Sequence, residues 1–361
     1  MLLGATLLAL GHRPLYYHVG QSVLPPTLRL GERAARRHGG SRKSAPGRRA
    51  PAIDMRAHLP LCLLAALVAA EAPRAPLAPG DHSLSLRHDG RTRRYLVHVP
   101  PAAASRRALP VLLSFHGAGG TPAGHQRFTR TDALADREGF FVVYPEGTIS
   151  GRLLTWNAGT CCGPAVAGRV DDVGFALAVV DDLGRRVVVD RHRLYATGMS
   201  NGGMMAHRLA AEASSRVAAI APIAGGLVYP SFAPARPVPV LHIHSLDDPI
   251  ALYRGGLRGR LAGVESMNPK VDIMMARWAK ADGCSGGPEV RAERRDARGH
   301  TARLLSWSGC AAGSEVRLWQ LRGAGHVWPG QPGRAPRLLG TPTSVIDANA
   351  EIWKFVSRFR R

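Results

Sequence analysis

Residues 193–210 read RLYATGMSNGGMMAHRLA. An apolar run expected to form a strand leads into Gly198-Met199-Ser200-Asn201-Gly202-Gly203, and a helix-like stretch follows. Gly198 and Gly202 flank Ser200 where a Cβ would obstruct a sharp strand-to-helix turn, which is the pattern of a nucleophile elbow. Such a turn lifts the hydroxyl above the C-terminal edge of a sheet, beside a helix N-terminus that favours developing negative charge. The same letters also suit a serine that only caps the helix, because a glycine-rich chain meets G-x-S-x-G by chance. The partners of Ser200 decide between the two readings.

Outward from this stretch the chain alternates apolar strands with helices. HSLSLRHDGRTRRYLVHVP (82–100) reads as a hairpin around Asp89-Gly90, and LPVLLSFHG (109–117) and GFFVVYPEG (139–147) as short buried strands. VDDVGFALAVVDDLGRRV (170–187) is an amphipathic helix opened by Asp171 and Asp172, both read as capping carboxylates rather than catalysts. VAAIAPIAG (217–225), VPVLHIHS (238–245) and EVRLWQLRG (315–323) are further strands, PKVDIMMARWAKAD (269–282) a helix and SVIDANAEIWKFVSRFR (344–360) a closing helix. Strands alternating with helices imply an α/β fold, a mostly parallel sheet with helices on both faces, in a single domain.

Composition narrows the class. The chain has 361 residues with 45% hydrophobic content and a formal charge of +22. Only Lys43, Lys270, Lys280 and Lys354 are lysines among 48 basic residues, and the arginines are scattered with no aromatic-interleaved basic stripe. A solvated basic surface fits this better than a nucleic-acid partner. Residues 1–54, with nine Lys/Arg against Glu32 and Asp54, read as an unstructured leader or a start placed too early. MRAHLPLCLLAALVAAEAPRAP (55–76) carries Met55, the charge of Arg56, an apolar stretch and Ala70-Glu71-Ala72, the order of a secretory signal over 55–72. That stretch is too short for stable membrane insertion, and Leu59-Pro60-Leu61 before Cys62 lacks the small residues of lipoprotein processing. The rival signal, MLLGATLLAL (1–10), has no basic start. The expected product is an exported catalytic domain over 73–361.

Export makes the four remaining cysteines candidates for disulfides rather than a metal site, and their spacing matches no zinc motif. Three pairings are open; Cys284 with Cys310, each beside glycines after an expected element, is the one we favour, which leaves Cys161 and Cys162 as a vicinal bridge or a free pair.

A nucleophilic serine needs a base and the base an orienting carboxylate, in the chain order Ser, Asp, His for this architecture. VPVLHIHSLDDPI (238–250) offers Asp247 and Asp248 just past a buried strand, and EVRLWQLRGAGHVWPG (315–330) offers His326 in a glycine-rich loop past the last strand. Both are strand ends, where α/β sheets place ligands. His242 and His244, inside a strand, read as core or rim groups. For the oxyanion, His116-Gly117-Ala118-Gly119-Gly120 ends a strand in a turn able to aim the Ala118 N–H, and Asn201 follows the nucleophile. A phosphate loop would need G-x-G-x-x-G or a Walker lysine, and this turn has neither. Trp156 and Trp328 are candidates for pocket walls, or equally for the core.

LLSFHGAGGT, TWNAGTCCGPA, VDDVGF, YATGMSNGGMMA, VLHIHSLDDPI, GAGHVWPG and IWKFVSRF, in that order, resemble the secreted polyhydroxybutyrate-depolymerase and feruloyl-esterase-like branch of the α/β-hydrolases, over most of 80–360. The resemblance implies a serine esterase with Ser200, Asp248 and His326 as its triad, the acid standing immediately before Pro249. It departs at His244-Ser245-Leu246-Asp247-Asp248-Pro249-Ile250, where relatives usually read H-G-T-A-D-P-I. With no binding module expected after residue 361, small or oligomeric esters suit the chain at least as well as solid polymer. Feruloyl or acetyl esters of plant polysaccharide, an envelope acyltransferase and a non-catalytic hydrolase-fold binding protein are the alternatives. No metal or organic cofactor is implied, and the oligomeric state is left open.

Overall fold

Asp89 and Gly90 both adopt positive φ, 48° and 71°, and this turn joins strand β1 (Gly80–His88) to its antiparallel partner β2 (Arg91–Val99). The computed structural model to which they belong describes residues 75–361 apart from 151–152, 262–263 and 332–336. The leader, the signal segment with Cys62 and the expected cleavage site lie outside the described residues. From β2 the chain enters the sheet centre at β3 (Leu109–Phe115), passes through helices α1 (Pro122–Thr129) and α2 (Asp132–Glu138), and forms β4 (Phe141–Pro145). A small hairpin, β5 (Thr148–Ser150) and β6 (Leu153–Thr155), precedes α3 (Gly163–Ala167) and α4 (Asp172–Leu183). Next come β7 (Val189–Met199), α5 (Asn201–Glu212), β8 (Ala219–Ile223) and β9 (Val240–Ser245). A second hairpin, β10 (Gly256–Leu261) and β11 (Val264–Asn268), leads to α6 (Val271–Ala281). β12 (Gly286–Arg295), β13 (Thr301–Ser308), β14 (Val316–Arg322) and α7 (Ala348–Val356) complete the fold.

The main sheet runs β1-β2-β4-β3-β7-β8-β9-β14-β13-β12. Its six inner strands, β4 to β14 in that order, are parallel, and antiparallel strands extend it at both edges. β4, β8 and β9 are buried at every position, as strands covered on both faces must be. One face packs Phe175, Val179 and Leu183 of α4, Met205 and Leu209 of α5, and Met275 and Trp278 of α6. The other packs Leu134 of α2 with Ile352, Phe355 and Val356 of α7. This is the α/β-hydrolase arrangement expected from the sequence. β12 and β13 were not expected: β12 is exposed at all but two partly buried positions, so no apolar alternation marks it.

The topology also fixes where a ligand can sit. β3 lies between β4 and β7, so the chain leaves it to one side and returns on the other. At such a switch point the loops beyond the C-terminal ends diverge and open a crevice. The loops concerned carry His116–Gly120 after β3 and Ser200 after β7. No helix among the described residues is long and apolar enough to cross a membrane.

Candidate active site

Ser200 is the residue on which β7 turns into α5, and it adopts φ 57° and ψ −124°, a conformation that costs a non-glycine residue about 1–3 kcal/mol. Its backbone is pinned on both sides: its N–H donates to Ile223 O (2.9 Å) and its carbonyl accepts from Met204 N (2.9 Å). Both flanking glycines are required. A Cβ on Gly198 would lie 2.6 Å from Gly202 O and 2.7 Å from Phe115 O, and one on Gly202 would collide with Phe115 O. The Ser200 side chain makes no capping hydrogen bond. The bland reading, a serine serving its helix, is therefore not the state of this residue.

The loop after β3 closes over this turn. A Cβ on Gly117 would stand 3.4 Å from the Ser200 Cβ. Gly119 N–H donates to Leu154 O (2.8 Å) and Gly120 N–H to Gly117 O (2.9 Å), while the amide of Ala118 has no partner among the described residues. The Asn201 amide is likewise one of the first-turn donors of α5 that no helical carbonyl reaches. The two backbone donors expected from the sequence are thus both uncommitted, on turns that meet at Ser200.

Side chains the sequence reading missed hold these turns in shape. Asn201 Oδ1 accepts from Trp156 N (2.8 Å) and its Nδ2 donates to Trp156 O (3.1 Å). Trp156 Nε1 donates to His116 O (2.9 Å). His116 Nε2 accepts from Gly147 N (3.0 Å), so Nδ1 carries the proton and donates to Gly117 O (2.8 Å). Burial pulls the His116 pKa down to about 4 and keeps the ring neutral, as that pattern needs. Behind Trp156, Asn157 N–H donates to Asp172 Oδ2 (2.8 Å), and Asp172 Oδ1 meets Arg93 at 2.7 Å in a buried ion pair. Asp171 does cap α4, through Gly174 N (2.8 Å), but Asp172 lies inside the helix and braces this loop instead. That corrects its reading as a second cap.

Past β9 and β14, on the same sheet edge, Asp248 Oδ2 lies 2.8 Å from His326 Nδ1, with both residues buried. Asp248 Oδ1 accepts from Ile250 N (2.7 Å) and Ala251 N (2.8 Å). Burial would raise the carboxyl pKa, but the hydrogen bond and charge of His326, with His244 and the Ile250 amide, outweigh it and hold the pKa below the usual carboxylate value. Nδ1 of His326 is thus committed to Asp248, and no hydrogen bond to its Nε2 is formed among the described residues. Asp247 is exposed and turned away, its Oδ2 accepting from Gly323 N (2.7 Å) in the loop that carries His326.

Trp156 is fully enclosed and Trp328 is 2% exposed, its Nε1 donating to Asn349 Oδ1 (3.0 Å). Both rings are buried in the core, which corrects the idea that they wall an open pocket. Cys284 and Cys310 form a disulfide between the end of α6 and the turn after β13, and Cys161 is bonded to Cys162. A His and carboxylate cluster with metal-like spacing, Asp81, His98 and Asp132, lies at the other end of the strands, where His98 pairs with Val142 at the start of β4. Its imidazole is already held between Asp81 (2.6 Å) and Asp136 (2.8 Å).

Residues 93–264 match the family described as Esterase PHB depolymerase. NocK of Nocardia uniformis subsp. tsuyamanensis, named as an esterase, is 35% identical over 278 residues, 72% of this chain and 79% of that protein. Feruloyl esterase B of Piromyces equi is 29% identical over 55% of this chain, which spans 37% of that longer protein. Among solved structures, the acetyl xylan esterase from Aspergillus awamori superposes with a TM-score of 0.49 at 14% identity, over 76% of this chain and 99% of that one.

Proposed function

The chain belongs to the PHB-depolymerase esterase family and is a carboxylic ester hydrolase, and from that premise we propose that it works by acyl transfer through Ser200, His326 and Asp248. The observation that carries the proposal is the buried Asp248–His326 pair at 2.8 Å, on the sheet edge that also bears the positive-φ serine. His326 Nε2 takes the Ser200 proton as Oγ attacks the ester carbonyl carbon. The tetrahedral oxyanion is held by the Ala118 and Asn201 amides, and Asp248 keeps the proton of His326 on Nδ1 and stabilises the imidazolium. Collapse expels the alcohol with the proton from Nε2. Water then repeats the sequence on the acyl-enzyme, releasing the acid and restoring the serine.

The substrate we propose is a small or oligomeric ester, either a hydroxyalkanoate oligomer or an aromatic or acetyl ester of a polysaccharide. The Cys284–Cys310 bridge supports an oxidising compartment, and with the 55–72 signal pattern it supports export of a catalytic domain spanning 73–361. A panel of p-nitrophenyl esters of graded length, run beside feruloyl esters and hydroxybutyrate oligomers, tests the activity. Turnover of at least one class that disappears in Ser200→Ala is expected. Equal turnover by Ser200→Ala would refute the mechanism, and product appearing only with an added alcohol acceptor would make the enzyme an acyltransferase. N-terminal sequencing of exported protein should begin at or near Pro73.

A further inference from the structure

Three imidazoles that the mechanism does not use lie in a row behind Asp248. His242 and His244 alternate on one face of β9, and His207 of α5 packs against His242 with ring centroids 5.3 Å apart. Their protons can be placed by elimination. A carbonyl only accepts, so His244 Nε2, 2.7 Å from Ala251 O, carries a hydrogen. His244 Nδ1 is then an acceptor, and His242 Nε2 donates to it at 2.9 Å. An indole only donates, so His207 Nδ1 accepts from Trp278 Nε1 (3.0 Å) and its proton sits on Nε2. His207 Nε2–H and His242 Nδ1 are left as a buried donor and a buried acceptor without partners among the described residues, on adjacent rings. The hydrogen bonds that are made run one way, Trp278 donating to His207 at one end, and His242 to His244 and His244 to the Ala251 carbonyl at the other.

The row ends on the acid. His244 Nε2–H grips Ala251 O, and the Ala251 amide in turn donates to Asp248 Oδ1 (2.8 Å). The same nitrogen stands 3.7 Å from Asp248 Oδ2, the oxygen that faces His326. The other groups around His244 are His326, His207 and the Tyr253 ring, perpendicular to it with 5.7 Å between centroids. Burial, ahead of these neighbours, lowers the pKa of His244, and that of His207 falls to about 3, so the row is neutral and its tautomers are well defined.

We propose that His244 is a positioning residue for the Asp248 carboxylate: its Nε2–H fixes the 248–251 turn that presents Oδ2 to His326, and the His242 hydrogen bond fixes the tautomer that makes this possible. The inference rests on the reading of Asp248 as the acid that orients His326.

Two amide substitutions separate this role from simple burial of a polar group. His244→Gln places an amide N–H2 near the position of Nε2 and can still hold Ala251 O. His244→Asn places its amide near Nδ1 and is too short to reach. Gln should stay within ~3-fold of the parent kcat, while Asn should lose ~10- to 100-fold in kcat with little change in KM, the cost of misplacing a catalytic group by about an ångström. The acid limb of the kcat/KM–pH profile should move to lower pH in the Asn variant alone, because an imidazolium deprived of a well-placed carboxylate loses its proton more readily. Melting temperatures establish that both proteins are folded. Equal kcat in the two variants, at any level, or an unmoved acid limb in Asn overturns the proposal. Asp248→Asn is measured alongside: if it turns over like the parent, the triad reading itself fails, whereas an inactive Asp248→Asn beside a fully active His244→Asn removes only the role of His244.

Discussion

Two Asp-Asp pairs, 171–172 and 247–248, look alike in the sequence and end alike in the fold. In each, the first carboxylate is exposed and ties a backbone amide, Gly174 N for Asp171 and Gly323 N for Asp247, Asp171 also meeting the His88 imidazole at the surface (3.0 Å). In each, the second is buried and meets a nitrogen base at hydrogen-bond distance, Arg93 at 2.7 Å for Asp172 and His326 at 2.8 Å for Asp248. The partners separate their roles. A guanidinium keeps its proton at any working pH, so the Arg93–Asp172 pair can only brace the protein. An imidazole can lose and regain one, so the Asp248–His326 pair suits the proton transfer proposed at Ser200.

The two pairs should differ most at their buried members. Asp248→Asn should lower kcat by up to ~10⁴-fold through loss of the imidazole tautomer, with the fold retained. Asp172→Asn should act chiefly on stability, costing about 3–5 kcal/mol by leaving Arg93 uncompensated, read as a shift in the denaturant midpoint. Because Asp172 also holds Asn157 N–H beside the Trp156–Asn201 clamp, a secondary fall in kcat is expected there. A catalytic collapse in Asp172→Asn equal to that of Asp248→Asn would break the distinction.

Acid titration separates the parent from its Asp248→Asn variant as well. The folded-state pKa of Asp248 lies below its ordinary value, so its carboxylate stabilises the native state above the normal carboxylate range, and that contribution disappears as pH falls through the lowered pKa. Asp248→Asn should flatten this acid-side loss of stability; an unchanged pH dependence would show that the loss originates elsewhere than at Asp248. At the exposed members the effects are smallest. Asp247→Asn should leave kcat within ~3-fold, since it touches only the loop of His326, and Asp171→Ala should cost about 1 kcal/mol as a lost helix cap. A dead Asp247→Asn beside an active Asp248→Asn would move the acid by one residue.

What could be read in the sequence was whatever a local pattern encodes. The strand, glycine turn and helix around Ser200 were legible because Gly198 and Gly202 are demanded by neighbouring backbone, and the order of strands and helices followed from apolar runs bounded by turns. Asp248 was separable from Asp247 only through Pro249 and the family register. Asp172 was misread because a capping carboxylate and a buried one share the same local letters, and its partner Arg93 is 79 residues away. The hooks from Asn201 to Trp156 and from Trp156 to His116 were invisible for the same reason. β12 escaped because an exposed edge strand has no buried face to imprint a period. His242 and His244 read only as core or rim groups, because the direction of their hydrogen bond is set by the Ala251 carbonyl in the turn beyond the strand.

Whether Ser200 is the nucleophile of an ester hydrolase is decided by peptide mapping with mass spectrometry after treatment with a serine-directed fluorophosphonate. The adduct should fall on Ser200 at one equivalent, abolish turnover in proportion to its occupancy, and be missing from Ser200→Ala. An adduct on any other residue that tracks the loss of activity, or an active enzyme that stays unlabelled, would remove Ser200 as the nucleophile.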